Sequence, residues 1–383
     1  PWKAYVVNAQ TEADRGDPPY TDPNRGFISL SVSDTENTSQ DEKGVIHGVT
    51  GSDIKFDINF NGTIAADAPN RNAIVRVEYH NYTCEHLIFV HQGNRPQKLL
   101  SDKPAWHVSN LVSKNREASN PLDEGSLFKY KNLDQPIAAK NQYSSKIPMI
   151  DVTSKDFPDP VSNQNRYELV GGEIKKWMEI TNQPANNKEA SWGLDLTSTR
   201  IAQIEDYEAL FENEMIAQGY GVLYGDESTE PKTNIVDAYG YQEDQAYYFG
   251  GSAIKDRGIR GCFVYNRNTG NHIFLPVGAS GYGHRKAKEG NGVLRYSCGQ
   301  TQIFPTNPNG FYTDASTAPL FYDLYMRPGA IYWTEDAGTG TWGTTVGWDI
   351  NYFTFDFNRI YEANVFNGNN SDACFIRCVE DPN

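Results

Sequence analysis

The sequence predicts a multidomain protein, with a first domain made of β-strands and a second domain of the α+β class. Three observations carry this prediction. The chain has 383 residues, which is enough for about two or three domains. Aromatic residues make up 13% of it and Gly is abundant, which is typical of β-strands joined by ordered loops. Apolar and polar residues alternate in many short runs, whereas helical periodicity is clear in one place.

Residues 1–97 are predicted to form a β-sandwich of the immunoglobulin-like type. The clearest strand runs from Asp53 to Phe60, where every second residue is apolar and the residues between are polar. Asn81 and Tyr82 are expected in a turn between two later strands. Strands and turns at this spacing, without a helix, indicate a sandwich. The other predicted strands are Lys3–Asn8, Phe27–Val32, Ala73–Tyr79 and Leu87–Val90.

Residues 98–189 are predicted to be a loop-rich connection that packs on the second domain. Proline recurs here through sequence rich in Asn, Ser and Lys. Large apolar side chains such as Trp106, Phe128 and Trp177 stand isolated from one another. Spaced anchors of this kind indicate an ordered connection rather than a disordered linker.

Residues 190–383 are predicted to form the α+β domain. A helix is expected over Glu205–Gln218, ending at Gly219, because four apolar residues share one of its faces: Tyr207, Leu210, Phe211 and Met215. One helix among many mostly antiparallel strands is an α+β arrangement. The predicted strands are Val222–Tyr224, Cys262–Tyr265, His272–Leu275, Ile331–Trp333, Ile350–Phe357 and Ala373–Val379.

The stretch Ile259–Tyr296 contains two of these strands, joined by a turn rich in Asn and Gly, which predicts a hairpin. The glycine-rich segment Gly278–Gly283 follows the hairpin. A phosphate-binding loop would need a helix directly after the glycines. Another strand follows instead, so we expect a structural turn at Gly278–Gly283.

The formal net charge of −15 argues against nucleic acids and anionic membranes as partners, because both are polyanions. No run of about 18 apolar residues exists that could span a bilayer. The chain starts at Pro1-Trp2 without Met or a signal-peptide pattern, which indicates a mature or truncated chain whose targeting segment has been removed. The odd count of five cysteines leaves buried thiols and one disulfide in the C-terminal half as alternatives.

No metal or cofactor is predicted. His80, Cys84, His86 and His91 form a local cluster, and residues 80, 84 and 86 would share a strand face that could hold zinc or copper, but the turn at Asn81 breaks that face. The possible nucleophile and base pairs lack a third orienting residue: Ser280 with His284, and Cys262 with His272. The acidic pairs lack the spacing of a calcium loop and are predicted to be solvated: Asp226–Glu227, Glu335–Asp336 and Glu380–Asp381.

The segment Thr334–Gly347 is the best candidate ligand site. It is rich in Gly and Thr, and a loop of about this length is uncommon without a role. Trp342 is expected in the middle of the loop, where its ring could stack on a sugar or hold the loop down. Glu335 and Asp336 could accept hydrogen bonds from ligand hydroxyl groups. These three residues are the predicted ligand-binding residues, and no catalytic residue is predicted.

Three motifs occur in an order that resembles one known family. They are Leu275–Tyr282 within IFLPVGASGYG, Tyr332–Thr334, and Arg377–Val379 within ACFIRCVED. The order is similar to that of the Fibrobacter succinogenes major paralogous domain of Bacteroidetes surface proteins. The resemblance implies a C-type-lectin-like fold for residues 190–383. Gly347-Trp348-Asp349 lacks the Asn of the calcium-binding lectin triplet, so the resemblance does not extend to calcium-dependent sugar binding.

The first domain, with AIVRVEYHNYTCEHLIFVHQG, resembles the immunoglobulin-like modules that precede such domains in adhesins and fimbria-associated proteins. The resemblance implies a non-enzymatic protein at the cell surface, anchored to the outer membrane through a segment absent from this chain. Its partners would be a surface glycan or protein, or pilus subunits. Two alternatives stay open: a glycan-capture protein of a polysaccharide-uptake system, and a glycoside hydrolase with paired carboxylates.

Overall fold

A computed structural model describes residues 1–7, 27–118, 121, 125–138, 191–224, 235–236, 258–276, 280–282, 293–295, 329–337, 342–351, 354–364 and 373–382. Over these residues the chain is mostly β-strand, arranged in several largely antiparallel sheets, with one α-helix. The predicted β-rich fold is therefore confirmed. The immunoglobulin-like and C-type-lectin-like folds stay predictions. Among the described residues, no helix has the length and apolarity that crossing a bilayer requires.

The chain divides into two compact units. The first consists of Pro1–Ser101 with two short later segments, Glu214–Ala217 and Tyr265–Ile273. The second consists of the intervening and following segments, Asp102–Asn213, Gln218–Val264 and Phe274–Asn383.

The described strands of residues 1–101 are short, apart from one long hairpin. They are β1 (Trp2–Val6), β2 (Ile28–Val32), β3 (Thr38–Gln40), β4 (Ile46–Gly48), β5 (Phe56–Phe60), β6 (Arg71–Tyr79), β7 (Cys84–Gln92) and β8 (Gln97–Lys98). Five of them form one sheet in the order β3-β4-β1-β6-β7, and β2 pairs with β5 in a second sheet. The strands predicted in this region are present. The turn predicted at Asn81 and Tyr82 is confirmed, since both residues have positive φ angles between β6 and β7.

The first unit has an apolar core on each face of its five-stranded sheet. Alternate residues of β6 belong to the two different cores, because successive side chains of a strand point to opposite faces of the sheet. Val75 and Val77 pack with the β2–β5 sheet, whereas Ile74 packs on the other face with Tyr5 and Tyr265. This explains why β6 is buried along most of its length.

The described elements of the second half continue the series. They are β9 (Ala105–Ser113), β10 (Arg116–Glu117), β11 (Ser126–Lys129), β12 (Asn132–Ala138), β13 (Arg200–Ile201), α1 (Ile204–Phe211), β14 (Ile216–Leu223), β15 (Ile235–Val236), β16 (Gly258–Asn266), β17 (His272–Pro276), β18 (Ser280–Tyr282), β19 (Val293–Arg295), β20 (Gly329–Trp333), β21 (Trp342–Asn351), β22 (Thr354–Asn364), β23 (Ala373–Cys374) and β24 (Arg377–Glu380). Their sheet orders are β10-β9-β24-β13, β12-β11-β23-β18-β19, β14-β16-β15 with β17 beside β16, and β20-β21-β22. The predicted β16–β17 hairpin is confirmed.

A buried arginine joins the late strand β24 to earlier parts of the second unit. Arg377 is 0% exposed and donates from Nε to the side-chain oxygen of Asn110 at 2.7 Å. Its two terminal nitrogens donate to the carbonyl oxygens of His107 at 2.9 Å and Phe274 at 3.0 Å. One side chain of β24 therefore binds three acceptors on two other strands, β9 and β17, which fits the planar fork of five donors in a guanidinium group.

The helix is shorter than predicted. It ends at Phe211, and Ile216–Leu223 forms a strand, so Gly219 lies inside β14 instead of ending a helix. No basic residue occupies the last turn, where the helix dipole would favour one. Asn213 and the glycines of β14 are poor helix formers. The apolar stripe is correct as far as the helix extends, since Tyr207 and Leu210 are buried.

Residues 98–189 differ from the predicted loop-rich connection where they are described. Ala105–Ser113 is a long strand, and β10, β11 and β12 follow it. The interior of β9 is buried on both faces, including the polar residues His107, Ser109 and Asn110. A strand buried on both faces shows no clean alternation, which is why the sequence pattern missed it. Residues 139–189 lie outside the described part of the chain.

Two further strand predictions and one turn prediction need correction. The predicted strand Ile350–Phe357 is two strands, because β21 ends at Asn351, which pairs with Thr354 at the start of β22. The aromatic residues of this segment favour strands throughout, so the sequence pattern did not indicate that the chain reverses direction between β21 and β22. The predicted strand Ala373–Val379 consists of β23 and β24, which belong to different sheets. Within the predicted glycine turn, Ser280–Tyr282 forms β18 and pairs with β19.

Candidate functional site

Trp342 lies at the start of a strand and not in the middle of a loop. It is the first residue of β21 and pairs with Asn364 of β22. The prediction of a loop over Thr334–Gly347 is therefore wrong from residue 342 onward. The segment after Trp342 contains Thr344, Thr345 and Val346, whose branched side chains favour a strand. A role for Trp342 in ligand binding stays a prediction.

Asp336 holds the start of helix α1. Its carboxylate accepts the backbone N–H of Ile204, the first residue of the helix, at 2.7 Å. The neighbouring Glu335 donates its backbone N–H to the carbonyl oxygen of Ala202 at 3.1 Å. The first backbone N–H groups of a helix have no partner within the helix, so a carboxylate from another segment stabilises them. Two of the predicted ligand-binding residues thus have contacts that organise the fold.

Arg200 binds two other carboxylates of this region. Its guanidinium donates to both side-chain oxygens of Asp206, at 2.6 and 3.0 Å, and to Asp381 at 2.8 Å. The hydrogen bond to Asp206 is the main reason that the pKa of Arg200 is raised. Asp206 also accepts the backbone N–H of Gln203 at 2.7 Å, which closes the first turn of α1. Through these contacts, Asp206 and Asp381 hold β13, α1 and the segment after β24 together.

The carboxylate of Glu335, next to Asp336, is partly removed from water. Burial raises its pKa, and the opposing attraction of Arg200 only partly offsets that effect. A carboxyl with a raised pKa beside ionised ones is a pattern of acid–base catalysis. Here, however, the neighbouring Asp206, Asp336 and Asp381 are engaged by Arg200 or by backbone N–H groups. The arrangement is therefore that of a structural network beside one partly buried carboxyl.

Sequence reasoning missed a buried histidine in the second unit. His107 on β9 lies 2.6 Å through Nδ1 from a carboxylate oxygen of Glu117, and its Nε2 lies 3.5 Å from the hydroxyl of Thr199. Glu380 on β24 is 3.7 Å from Nε2. Thr199 and Glu380 are far from His107 in the chain, and the four residues match no local motif, so no sequence signal could have grouped them. They connect β9, β10 and β24 through one imidazole.

The histidine and cysteine group of the first unit is not brought together. Cys84 and His80 are exposed at the β6–β7 hairpin. His91 instead lies with Nδ1 2.6 Å from the side-chain oxygen of Asn72 and Nε2 2.7 Å from the carbonyl oxygen of Gly93, and burial lowers its pKa. Among the described residues, no three or more His, Cys, Asp or Glu side chains are grouped so as to hold a metal ion.

Cys262 and His272, the described pair of a possible nucleophile and base, both have other contacts. The thiol of Cys262 contacts the carbonyl oxygen of Phe263 at 3.6 Å, and burial raises its pKa well above the usual value. His272 contacts the carbonyl oxygen of Gly270 at 3.0 Å. His284, Cys298 and Asp226–Glu227 lie outside the described residues. Four cysteines are thiols and not disulfides: Cys84, Cys262, Cys374 and Cys378.

The first unit contains a groove that the sequence analysis did not single out. Its volume is about 550 Å³, and it opens between β5 on one side and the β6–β7 hairpin on the other. Most of its lining is apolar: Ile54, Phe56, Ile58, Val77, Tyr79 and Ile88, with Ser33, Lys55 and His86. The alternation in Asp53–Phe60 was the available signal, because it places Phe56 and Ile58 on one face of β5.

The groove exists because the two sheets have unequal widths. Strand β2 packs over β3, β4 and β1, which puts its neighbour β5 on the side of β6. Two strands cannot cover a sheet of five. The described residues therefore leave the inward face of β7 partly uncovered, and Ile88 on that face is only half-buried. Two apolar residues at the end of the narrow sheet are also exposed, Ile54 at 43% and Phe60 at 55%.

Comparison of the chain with protein-family models, with curated proteins and with solved structures gives no match.

Proposed function

We propose that this protein is a non-enzymatic binding protein of the bacterial cell surface, an adhesin or fimbria-associated protein, with a protein or glycan as its ligand. The observation that supports this proposal is the open apolar groove between β5 and the β6–β7 hairpin. Folded proteins rarely leave apolar clefts of this kind open to water unless they bind something there. The motif resemblance to adhesin-type surface proteins adds the cellular setting.

The groove favours binding over chemistry. Its lining includes three titratable side chains, Lys55, Tyr79 and His86. Lys55 is paired with Asp53 at 2.9 Å, and this contact raises the pKa of the ammonium group. A general acid and base would need groups with matched pKa values converging on a reacting atom. An apolar floor with a few polar groups at its rim instead suits recognition of a ligand surface.

The groove, and not the group of C-terminal residues, is therefore the leading candidate binding site. Asp336 is engaged by the start of α1, and Glu335 lies beside the Arg200 network. Trp342 keeps its place as a second candidate, since a tryptophan ring can stack on a sugar. Protein ligands become the preferred class, because six of the nine groove-lining residues are apolar or aromatic.

The test is surface binding by the labelled 383-residue chain. It would be applied to a glycan array with and without calcium, to immobilised extracellular-matrix proteins, and to intact epithelial and bacterial cells. We expect saturable binding to a restricted set of proteins or cells, weakened by Ile58→Ser and retained by Asn59→Ser on the opposite face of β5. If the chain binds to none of these surfaces, the proposal is overturned.

Two other outcomes would redirect the assignment. Saturable binding to a single polysaccharide that is lost in Trp342→Ala would favour the glycan-capture alternative and the C-terminal candidate site. Release of reducing sugar from any glycan would contradict the non-enzymatic function. In that case Glu335→Gln would be the first variant to examine, because of its raised pKa.

A further inference from the structure

We propose that the groove binds an extended polypeptide segment of another molecule, which pairs with the outer edge of β5 and inserts alternate apolar side chains between the two sheets. This inference rests on the proposed binding function and specifies the chemical class of its ligand. Three features of the first unit lead to it: the direction of the β5 backbone groups, the spacing of the apolar lining, and the charge of the groove.

The backbone of β5 presents hydrogen-bonding groups to the groove edge. Asn61 donates its backbone N–H to the carbonyl oxygen of Phe27, in register with the β2–β5 pairing. In an antiparallel pair, bonded residues alternate with residues whose backbone groups point away. Asp57 and Asn59 therefore face β2. The N–H and C=O groups of Phe56, Ile58 and Phe60 face the opposite edge, and in the described part of the chain β5 pairs with β2 alone.

An apolar ligand would leave these backbone groups without partners, and the hydroxyl groups of a sugar do not repeat at the spacing of a strand backbone. Covering the groove removes the edge from water, and each buried polar group then costs about 1–3 kcal/mol unless it is paired. A polypeptide backbone supplies donors and acceptors at the matching spacing. Addition of a strand to a sheet edge is a recognised way in which proteins bind extended peptides.

The side chains below this edge favour alternating apolar residues in the ligand. Phe56 and Ile58 line the groove from β5, and Val77, Tyr79 and Ile88 line it from the opposite sheet. Every second side chain of an added strand would point into this space, since strand side chains alternate between faces. The added strand would lie beside β5 and over the hairpin, where the two-stranded sheet is too narrow to cover the five-stranded one.

The charge of the groove determines whether the inserted side chains of the ligand can be charged. Lys55 is neutralised by Asp53 at 2.9 Å, so the wall offers no unbalanced positive charge from that side chain. The remaining lining residues include no carboxylate, ammonium or guanidinium group. A charged side chain inserted here would lose water without gaining an ion pair. The inward residues of the ligand are therefore uncharged, and its outward residues face solvent and can be polar.

The experiment uses the full chain and a fluorescein-labelled synthetic peptide of alternating Val and Thr, about nine residues long, so that it spans a typical strand. Two matched peptides carry backbone N-methyl groups, one on the Val amides and the other on the Thr amides. In a paired strand, amides of alternate residues face the same edge. We expect saturable binding of the parent peptide by fluorescence anisotropy. One methylated peptide should lose about tenfold or more in affinity, and the other should bind nearly as well as the parent.

Equal affinities of the two methylated peptides would overturn the proposal, and so would failure of the parent peptide to bind. Binding of laurate at the groove without binding of the peptide would also overturn it, since that result identifies a small apolar ligand. Ile58→Ser should weaken parent-peptide binding about tenfold, with Asn59→Ser as the matched control on the other face of β5. Ile54→Ser provides a second groove variant outside the β2–β5 pairing, and circular dichroism verifies that each variant is folded.

The result also separates this inference from the proposed function. Peptide binding without binding to any cell or protein surface would leave the strand-addition site in place and remove the adhesin assignment. Surface binding that Ile58→Ser does not affect, together with equal binding of the methylated peptides, would keep a surface function and remove the strand-addition site.

Discussion

The carboxylate of Asp336 lies 2.7 Å from the backbone nitrogen of Ile204, across 132 residues of sequence. This contact supplies an acceptor to the first N–H of the single described helix, which otherwise relies on Asp206 within its own first turn. It also ties the segment after β20 to the segment after β13. A residue whose acidity and position near a loop indicated ligand binding therefore has a structural role.

Replacement of Asp336 by Ala should destabilise the second unit by about 1 kcal/mol, the usual effect of removing a side-chain acceptor at a helix start. Asp336→Asn should retain most of the stability, because its amide oxygen can still accept the Ile204 N–H. Urea unfolding followed by tryptophan fluorescence measures both changes. Asp102→Ala, at an exposed aspartate, serves as the control. Equal stability of Asp336→Ala and wild type would show that the contact contributes little.

Replacement of Arg377 should be far more damaging. Arg377→Ala leaves three buried acceptors without their donor, those of Asn110, His107 and Phe274. Each unsatisfied group costs about 1–3 kcal/mol, so we expect a loss of about 3 kcal/mol or more in the free energy of unfolding. Arg377→Lys should also be strongly destabilising, because one ammonium nitrogen cannot reach three separated acceptors.

The control for Arg377 is Arg267→Ala, since Arg267 is exposed in the β16–β17 turn. Its free energy of unfolding should stay within about 0.5 kcal/mol of the wild type. Chemical denaturation compares the midpoints and slopes of the variants. Similar midpoints for Arg377→Ala and Arg267→Ala would contradict the role assigned to the buried arginine.

Glu335 should make stability depend on pH in a defined direction. Burial raises its folded pKa above the ordinary value of 4.5, so the folded state holds a proton more tightly than the unfolded state. The stabilisation from this proton is fully present below pH 4.5 and is lost as pH rises through the folded pKa. Glu335→Gln cannot ionise, so it should be more thermally stable than wild type at pH 7.

Thermal unfolding between pH 4 and pH 7 tests this prediction for wild type and Glu335→Gln. The stability advantage of the variant at pH 7 should shrink as pH falls towards the ordinary glutamate pKa of 4.5. A constant difference across the range would mean that the substitution acts through packing. Glu205→Gln, at an exposed position in the first turn of α1, is the matched control and should show no comparable gain.

The described cysteines should differ sharply in reactivity. Cys84 is exposed, whereas Cys262, Cys374 and Cys378 are buried. Burial also raises the pKa of Cys262 and Cys378, which suppresses the reactive thiolate. In a Cys298→Ser background, iodoacetamide should modify one thiol of the native chain rapidly and the other three only after denaturation. Mass spectrometry of the digested protein identifies the sites, and rapid native labelling of Cys378 would contradict its burial.

Local sequence patterns predicted the strands where one face is buried and the other is solvated. The alternation around Ile58 and the Asn81 turn between β6 and β7 are examples. The pattern failed where a strand is buried on both faces, as in β9 with its interior Asn110. It also failed where tertiary pairing competes with helix propensity, as in the segment that contains Gly219.

The candidate site was harder to predict because it depends on long-range contacts. Asp336 is engaged by Ile204, and no spacing rule connects the two residues. The groove arises from unequal numbers of strands in two sheets, which is a property of topology and not of any one segment. The sequence supplied the apolar face of β5 but contained no sign that the facing sheet extends beyond it.

The placement of β24 governs the order in which the chain can fold during synthesis. This strand follows every other described strand in sequence, yet it lies inside its sheet between β9 and β13. A ribosome must therefore deliver residues up to Glu380 before β9 can acquire that neighbour, which is 267 residues after Ser113 (380 − 113). All five strands of the sheet of residues 2–92 are early, although the apolar core on one of its faces also contains Tyr265. Chaperone capture of nascent chains should accordingly persist on the later region long after the early sheet has become protease-resistant.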